Sequence, residues 1–316
     1  MSVIRENALI KPILKSGRNF SHIKKNWELY LFVLPCVLWF IVFKYVPMYG
    51  VQIAFKDFIA TRGIWDSPWV GFKHFERFFN SYNFQLLLKN TLGLSLMQLV
   101  IGFPLPIIIA LMLNQLTSER FKRIVQTVIY APNFISVVVL VGMIYVFLSP
   151  SSGMVNHVIK LFGGEPVFFM GSAAWFKPLY VLSGVWQETG FATIIYLAAL
   201  AGINPDLHEA AVVDGATKFK RILHIDIPGI LPISIILLIL AVGNMMNLGF
   251  EKALLMQTDL NKSSSSIIQT YVYEVGLVKA QYSFSAAVGL FNSVINLVLL
   301  LSVNRFARKV SETSLW

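Results

Sequence analysis

The chain has 316 residues, of which 56% are apolar or aromatic and only 13% charged. Disordered chains are poor in apolar residues, soluble domains carry about 25% charged residues, and a single cysteine, Cys36, excludes a disulfide framework. The net charge of +10 reads as basic flanks of membrane spans rather than as a nucleic-acid footprint, so the class is a polytopic membrane protein with no nucleic-acid partner.

Residues 1–27 form a basic N-terminal arm with Arg5, Lys11, Lys15, Arg18, Lys24 and Lys25. Six apolar segments follow within one membrane domain, 28–304. Segment 29–43, extended by a snorkelling Lys44, lacks a small-residue cleavage site and reads as a retained helix. Segment 91–113 carries Gly102-Phe103-Pro104-x-Pro106, read as a kink. Segments 124–148, 227–250 and 280–304 carry no charge, and 179–203 carries one, Glu188. Segments two to six are long enough for the ~30 Å hydrocarbon core, and lipid forces them to be helices. The fold expected is therefore all-α with six transmembrane helices. The serine run 263–266 reads as an exposed turn, and 305–316 as a short tail.

Lys and Arg counts orient the spans. The arm, loops 114–123 and 204–226, and the tail hold 15 basic residues, whereas the longer loops 44–83, 149–177 and 251–279 hold 10. The positive-inside rule then places both termini and the two short loops in the cytoplasm.

The informative loop is 204–228. Asn204-Pro205-Asp206 is a helix start, because Asn caps, Pro suits the first turn and Asp complements the dipole. Asp214-Gly215 ends that helix. A second amphipathic stretch follows, with Ala216, Phe219, Ile222, Leu223 and Ile225 to Ile227 on its apolar face and Lys218, Lys220, Arg221 and His224 outside. Pro228 and Pro232 bend the chain into the fifth span. Two short helices make a compact knob suited to docking in a groove of a soluble partner, or else lie on the lipid surface.

Glu209-Ala210-Ala211-x-x-Asp214-Gly215-Ala216, with Ile225-x-Ile227-Pro228 and Pro232 downstream, resembles the EAA loop of permease subunits of bacterial binding-protein-dependent ABC importers. Within that family the chain is similar to the carbohydrate-uptake branch. Trp69-Val70-Gly71-Phe72-x-x-Phe75, Gly153-x-Val155-Asn156 and Tyr196-Leu197-Ala198-Ala199-Leu200-x-Gly202-Ile203 extend the resemblance over most of the chain. Phe219, Ile222 and Asp226 depart from the family's usual Trp, Phe and uncharged residue. The resemblance implies a type I importer permease, in which the knob inserts into a cytoplasmic ATPase. Glu209 would contact the ATPase, Ala210, Ala211 and Ala216 would allow close packing, Gly215 would permit the turn, and Asp214 would cap or brace the second helix. It further implies a second homologous permease, two ATPase subunits or an ATPase homodimer, an extracellular solute-binding protein, and a carbohydrate substrate. No G-x-x-x-x-G-K-[ST], H-E-x-x-H, C-x-x-C or G-x-S-x-G occurs. The chain is thus expected to be no enzyme and to bind no cofactor or metal, Mg-ATP residing on its partners.

Glu188, in Trp186-Gln187-Glu188-Thr189-Gly190, is a candidate pore-facing acceptor for sugar hydroxyls or else a packing residue. Asn244 and Asn247, three apart and so on one face of the fifth helix, and Asn292 and Asn296 in the sixth offer amides that donate and accept, or bond helix to helix. In the first outer loop, Trp65, Trp69, His74 and Arg77 stand where a binding protein would meet the chain or where a local lid would form. A membrane-embedded transferase would need an acidic or His cluster at the interface, and a scaffold would use the knob for signalling.

Overall fold

Backbone groups in lipid must be satisfied internally, and the chain does so with helices. The computed structural model describes residues 26–310, Val310 by its backbone alone. Among these there is no β-strand, only isolated bridges between Lys56 and Trp69 and between Ile59 and Gly63. The basic residues of the arm before Asn26 lie outside the described residues.

The chain divides into two units, Met1–Gln52 and Ile53–Trp316. The first contains α1 (Trp27–Phe40), which continues through a π-helical turn, Ile41–Tyr45. None of α1 is buried. A helix apolar on every side and covered on none is stable in lipid rather than in water.

The second unit begins with a loop and α2 (Lys73–Phe79), then α3 (Asn83–Gly102) and α4 (Pro104–Asn114). Next come α5 (Glu119–Tyr130), α6 (Val137–Phe147), α7 (Met154–Leu161), α8 (Ala173–Ala201) and α9 (Pro205–Val213). The chain ends with α10 (Lys218–Arg221), α11 (Ile227–Gly243), α12 (Phe250–Met256), α13 (Lys262–Ser265), α14 (Ile268–Tyr273) and α15 (Tyr282–Val310). Four runs are long and apolar enough to cross a membrane, Trp27–Phe55, Asn83–Asn114, Lys218–Gly243 and Tyr282–Lys309, and up to six if each of two bent pairs is one span.

The bent pairs revise the simple reading of six straight segments. Segment 124–148 breaks at Ile135, with 99° between its halves. Pro132 lies in a 3₁₀ turn, Ala131–Phe134, and Ser136 caps α6 by accepting from Val139 N at 3.4 Å. A cap signal inside an apolar run thus starts a new helix. The fifth segment shortens to end at Gly243. The sixth begins at Tyr282 and continues as helix to Val310, through what reads as a tail. The serine run is no exposed turn: Ser265 is fully buried and bonded to Asn261, and Asn90 donates to the carbonyls of Ser263 and Ser266 at 2.9 and 3.2 Å.

Helix α8 is the central post, packed against α3, α4, α5 and α11. Gly190 permits its approach to α5, since a Cβ there would collide with the Ile129 carbonyl. One buried cluster joins α8 to α3, α6 and α12 through Leu94, Val141, Tyr180, Val181 and Met256. A second joins Ala110, Leu111, Tyr196, Leu200 and Ile230 of α4, α8 and α11.

The family-like patterns in the loops prove to be structural. Buried Asn156 donates to the carbonyls of Leu148, Ser149 and Val167 and accepts from Val167 N at 2.7 Å, pinning the loop after α6. Gly71 has φ +62 and turns the chain between the packed rings of Phe55, Phe72 and Phe75. Of the first-loop candidates, Trp65 and Trp69 are exposed, His74 is buried, and Arg77 donates to Gln281 at 2.9 Å. The Lys73 ammonium, 2.7 Å from Asp57, holds that carboxyl below its usual range.

Candidate functional site

A cavity of about 400 Å³ lies between α3, α4, α8, α11 and the turn that follows α11. Leu99, Val185, Leu237 and Leu240 are apolar walls, and Ser95, Gln98, Glu188, Thr189, Asn244 and Asn247 bring polar groups. Gly102, Phe103 and Pro106 also line it, so the Gly-Phe-Pro break between α3 and α4 opens onto this space. Pro104 and Pro106 bring no N–H, which frees carbonyls of the preceding turn. The buried Oε1 of Gln98 has no hydrogen-bond partner.

Asn244 and Asn247 do not share a helix face, because α11 ends before them and residues 244–246 form a turn. They still meet. Asn247 Nδ2 donates to Asn244 Oδ1 at 2.8 Å, which leaves the Asn244 amide N–H groups as donors toward the cavity. Asn247 Oδ1 accepts from Asn292 at 3.2 Å and from Gln269 at 3.4 Å. Asn296 accepts from the Met246 backbone at 2.9 Å, and Gln269 donates to the Met246 carbonyl at 2.8 Å. Asn292 and Asn296, both buried, therefore brace the turn and do not line the cavity. Gln187 is also absent from the wall: it donates to the Ile135 carbonyl at 2.6 Å, satisfying the backbone at the bend.

Glu188 lines the cavity and is the charged residue there. A group that reading by loops assigns to the outside charge count, Lys252, is instead buried at 6% exposure. Its ammonium donates to the Tyr180 carbonyl at 2.7 Å and stands 4.7 Å from the Tyr180 ring centre. Gly184, one turn before Glu188, makes room, since a Cβ there would stand 3.0 Å from Lys252 Nζ. The glycine is the signal in the sequence that a bulky group enters from another element.

Beyond α8 the chain turns by 71° into α9. Asn204 caps α9, accepting from Asp206 N at 3.1 Å. Its other end closes as a Schellman motif: Ala216 N bonds Ala211 O at 2.8 Å, Gly215 N bonds Val212 O at 3.0 Å, and Gly215 has φ +75. Glu209, Ala210, Asp214 and Gly215 are exposed, with Ala211 and Ala216 half-buried. Val213 and Phe219 display apolar side chains at 87% and 73% exposure. Asp214 ends α9 rather than capping the second helix; Thr217 caps it, accepting from Lys220 N at 3.4 Å. Nor is the second helix a separate short piece. α10 runs through a π-helical turn, Ile222–Asp226, directly into α11, and Pro228 follows that turn.

Residues 102–312 match the family model for the "Binding-protein-dependent transport system inner membrane component". Protein LplB of Bacillus subtilis (strain 168) is 43% identical over 308 residues, covering 96% of this chain and 97% of that protein. The polygalacturonan/rhamnogalacturonan transport system permease protein YteP of the same organism is 45% identical over 288 residues, covering 91% and 90%. A chain of a bacterial alginate ABC transporter, solved in complex with an alginate pentasaccharide-bound periplasmic protein, superposes with a TM-score of 0.87 at 41% identity, covering 94% of this chain and 100% of that one. The chain therefore belongs to the inner membrane components of binding-protein-dependent transport systems.

Proposed function

We propose that this permease forms half of the pore of an ABC importer for an oligosaccharide or a fragment of a complex polysaccharide. The observation that carries the reading is the continuity of α8. It lines the cavity with Glu188, Thr189 and Tyr196 and turns directly into the exposed helix α9. A push on α9 thereby reaches the cavity wall. The wall offers amide donors at Asn244 and carboxylate and amide acceptors at Glu188 and Gln98, a pairing suited to hydroxyls, which both donate and accept. The substrate class is supported by relatives whose names specify polygalacturonan, rhamnogalacturonan and alginate.

In this reading the protein has six spans, counting each bent pair as one, with both termini and α9 in the cytoplasm. The 204–228 segment is the EAA loop, and Glu209, Ala210, Ala211, Asp214, Gly215 and Ala216 form the ATPase contact, joined by Val213 and Phe219. The chain itself hydrolyses nothing. Mg-ATP sits on two ATPase subunits, a second permease completes the pore, and an extracellular binding protein delivers the sugar. Gln187, Asn292 and Asn296 serve the pathway as braces.

The test substitutes Glu209→Lys and Gly215→Trp in the assembled transporter. Both variants are expected to insert normally, to lose co-purification with the ATPase, and to lose uptake from a panel of alginate, oligogalacturonate and maltose-type oligosaccharides. Unchanged association and uptake in both would overturn the reading.

A further inference from the structure

Asp226 is 0% exposed. It ends the π-helical turn between α10 and α11. A carboxylate withdrawn from water is costly unless its oxygens find partners, and here a hydrogen-bond donor comes from one other element and a nearby imidazole from another. Asp226 Oδ2 accepts from Gln115 Nε2 at 3.1 Å, just past the end of α4. Asp226 Oδ1 makes no hydrogen bond and lies 3.3 Å from Nε2 of His208, on α9 immediately before Glu209. One buried carboxylate therefore joins the ends of α4, α9 and α11. Close packing surrounds the junction. A Cβ at Gly229, in the first turn of α11, would stand 2.5 Å from Ile203 Cδ1, in the turn that leads to α9. Ile222 packs on the cluster that contains Tyr196, a cavity-lining residue. α4 reaches the cavity with Pro106 and α11 with Leu237 and Leu240.

Buried polar and ionic groups contribute little net stability and are often replaceable by apolar residues, while their best-attested use is to fix register. We propose that Asp226 is a positioning residue that locks the ATPase-facing helix α9 to α4 and α11, so that a displacement of α9 moves three walls of the cavity together. This rests on the reading of α9 as the ATPase contact. A rigid junction carries a displacement in either direction. A loaded binding protein on the outside is thereby sensed at the ATPase through the same carboxylate.

The test uses the complete transporter in proteoliposomes, with ATPase subunits, partner permease and binding protein. Asp226→Asn removes the charge, and Asp226→Leu with Gln115→Leu and His208→Leu replaces the whole junction by apolar packing. ATP hydrolysis is measured per assembled complex with Mg-ATP alone, and again with binding protein carrying the panel oligosaccharide that wild type takes up. In both variants the complex is expected to assemble, and hydrolysis is read as the ratio of stimulated to basal rate. The stimulated-to-basal ratio and the sugar transported per ATP are expected to fall at least about fivefold, the lower end of ordinary allosteric coupling. A merely structural role would lower the amount of complex and leave the ratio unchanged. That outcome overturns the proposal, as does failure of both variants to assemble or a wild-type ratio in both. If Glu209→Lys and Gly215→Trp abolish ATPase association while the Asp226 variants behave as wild type, the proposal fails and the reading of α9 stands. If the two surface variants have no effect, it is the reading of α9 that fails.

Discussion

Asn247 shows how one amide fixes a wall. Its oxygen holds donors from α15 and α14, and its nitrogen orients Asn244. Replacing it with leucine leaves these groups without their partner, at a cost of about 1–3 kcal/mol for each that stays buried. Asn247→Leu is therefore expected to lower the thermal midpoint in detergent and to weaken uptake, both measured on the purified complex. Glu188 tests the cavity itself. Glu188→Gln keeps the acceptor oxygen and removes the charge, so the half-saturation concentration for uptake is expected to shift by about tenfold, equivalent to 1.4 kcal/mol. Wild-type transport would instead assign Glu188 to helix packing. Asn156, with three carbonyls and one N–H in its grip, reads in the sequence as part of a family-like pattern. Its job, visible only once the loop is folded, is to satisfy backbone at a turn. Asn156→Ala is expected to destabilise by about 1–3 kcal/mol without changing substrate range, checked by thermal unfolding alongside uptake.

At the scale of elements, the break in the third apolar segment and the close approach of α5 to α8 carry the architecture. Gln187 closes the hydrogen bonding at the first and Gly190 makes the second possible. Gly190→Val drives a side chain into the Ile129 carbonyl, and overpacking of this kind costs about 1–3 kcal/mol. Gly142 in α6, where an added Cβ meets nothing within 4 Å, is the control. Gly190→Val is expected to lower the thermal midpoint and Gly142→Ala to leave it unchanged or raise it, since alanine is the better helix former. Hydropathy reads the third segment as membrane material and misses its 99° bend. The bend is set by Pro132 and the Ser136 cap, two polar-scale signals inside a run that hydropathy averages over.

For the whole molecule, the bias of lysines and arginines toward the short loops supports the proposed orientation, with both termini and α9 in the cytoplasm. The chain has one cysteine, so a Cys36→Ser background allows single reporters. Leu207→Cys on α9 is expected to react with a membrane-impermeant thiol reagent only from the cytoplasmic side, and Trp65→Cys only from the outside. The reverse pattern would invert the topology. The sequence by itself determined the helical membrane class and, in the 204–228 loop, the Asn204 helix start and the Gly215 break. These are local or periodic properties, written in runs of neighbouring residues. Tertiary structure alone decided what depends on distant partners. It buried Lys252 against Tyr180, turned Asn292 and Asn296 into braces, buried Ser265 of the serine run, and made Asp226 the meeting point of α4, α9 and α11. A buried carboxylate is identified by its neighbours, and those of Asp226 lie 18 and 111 positions away along the chain.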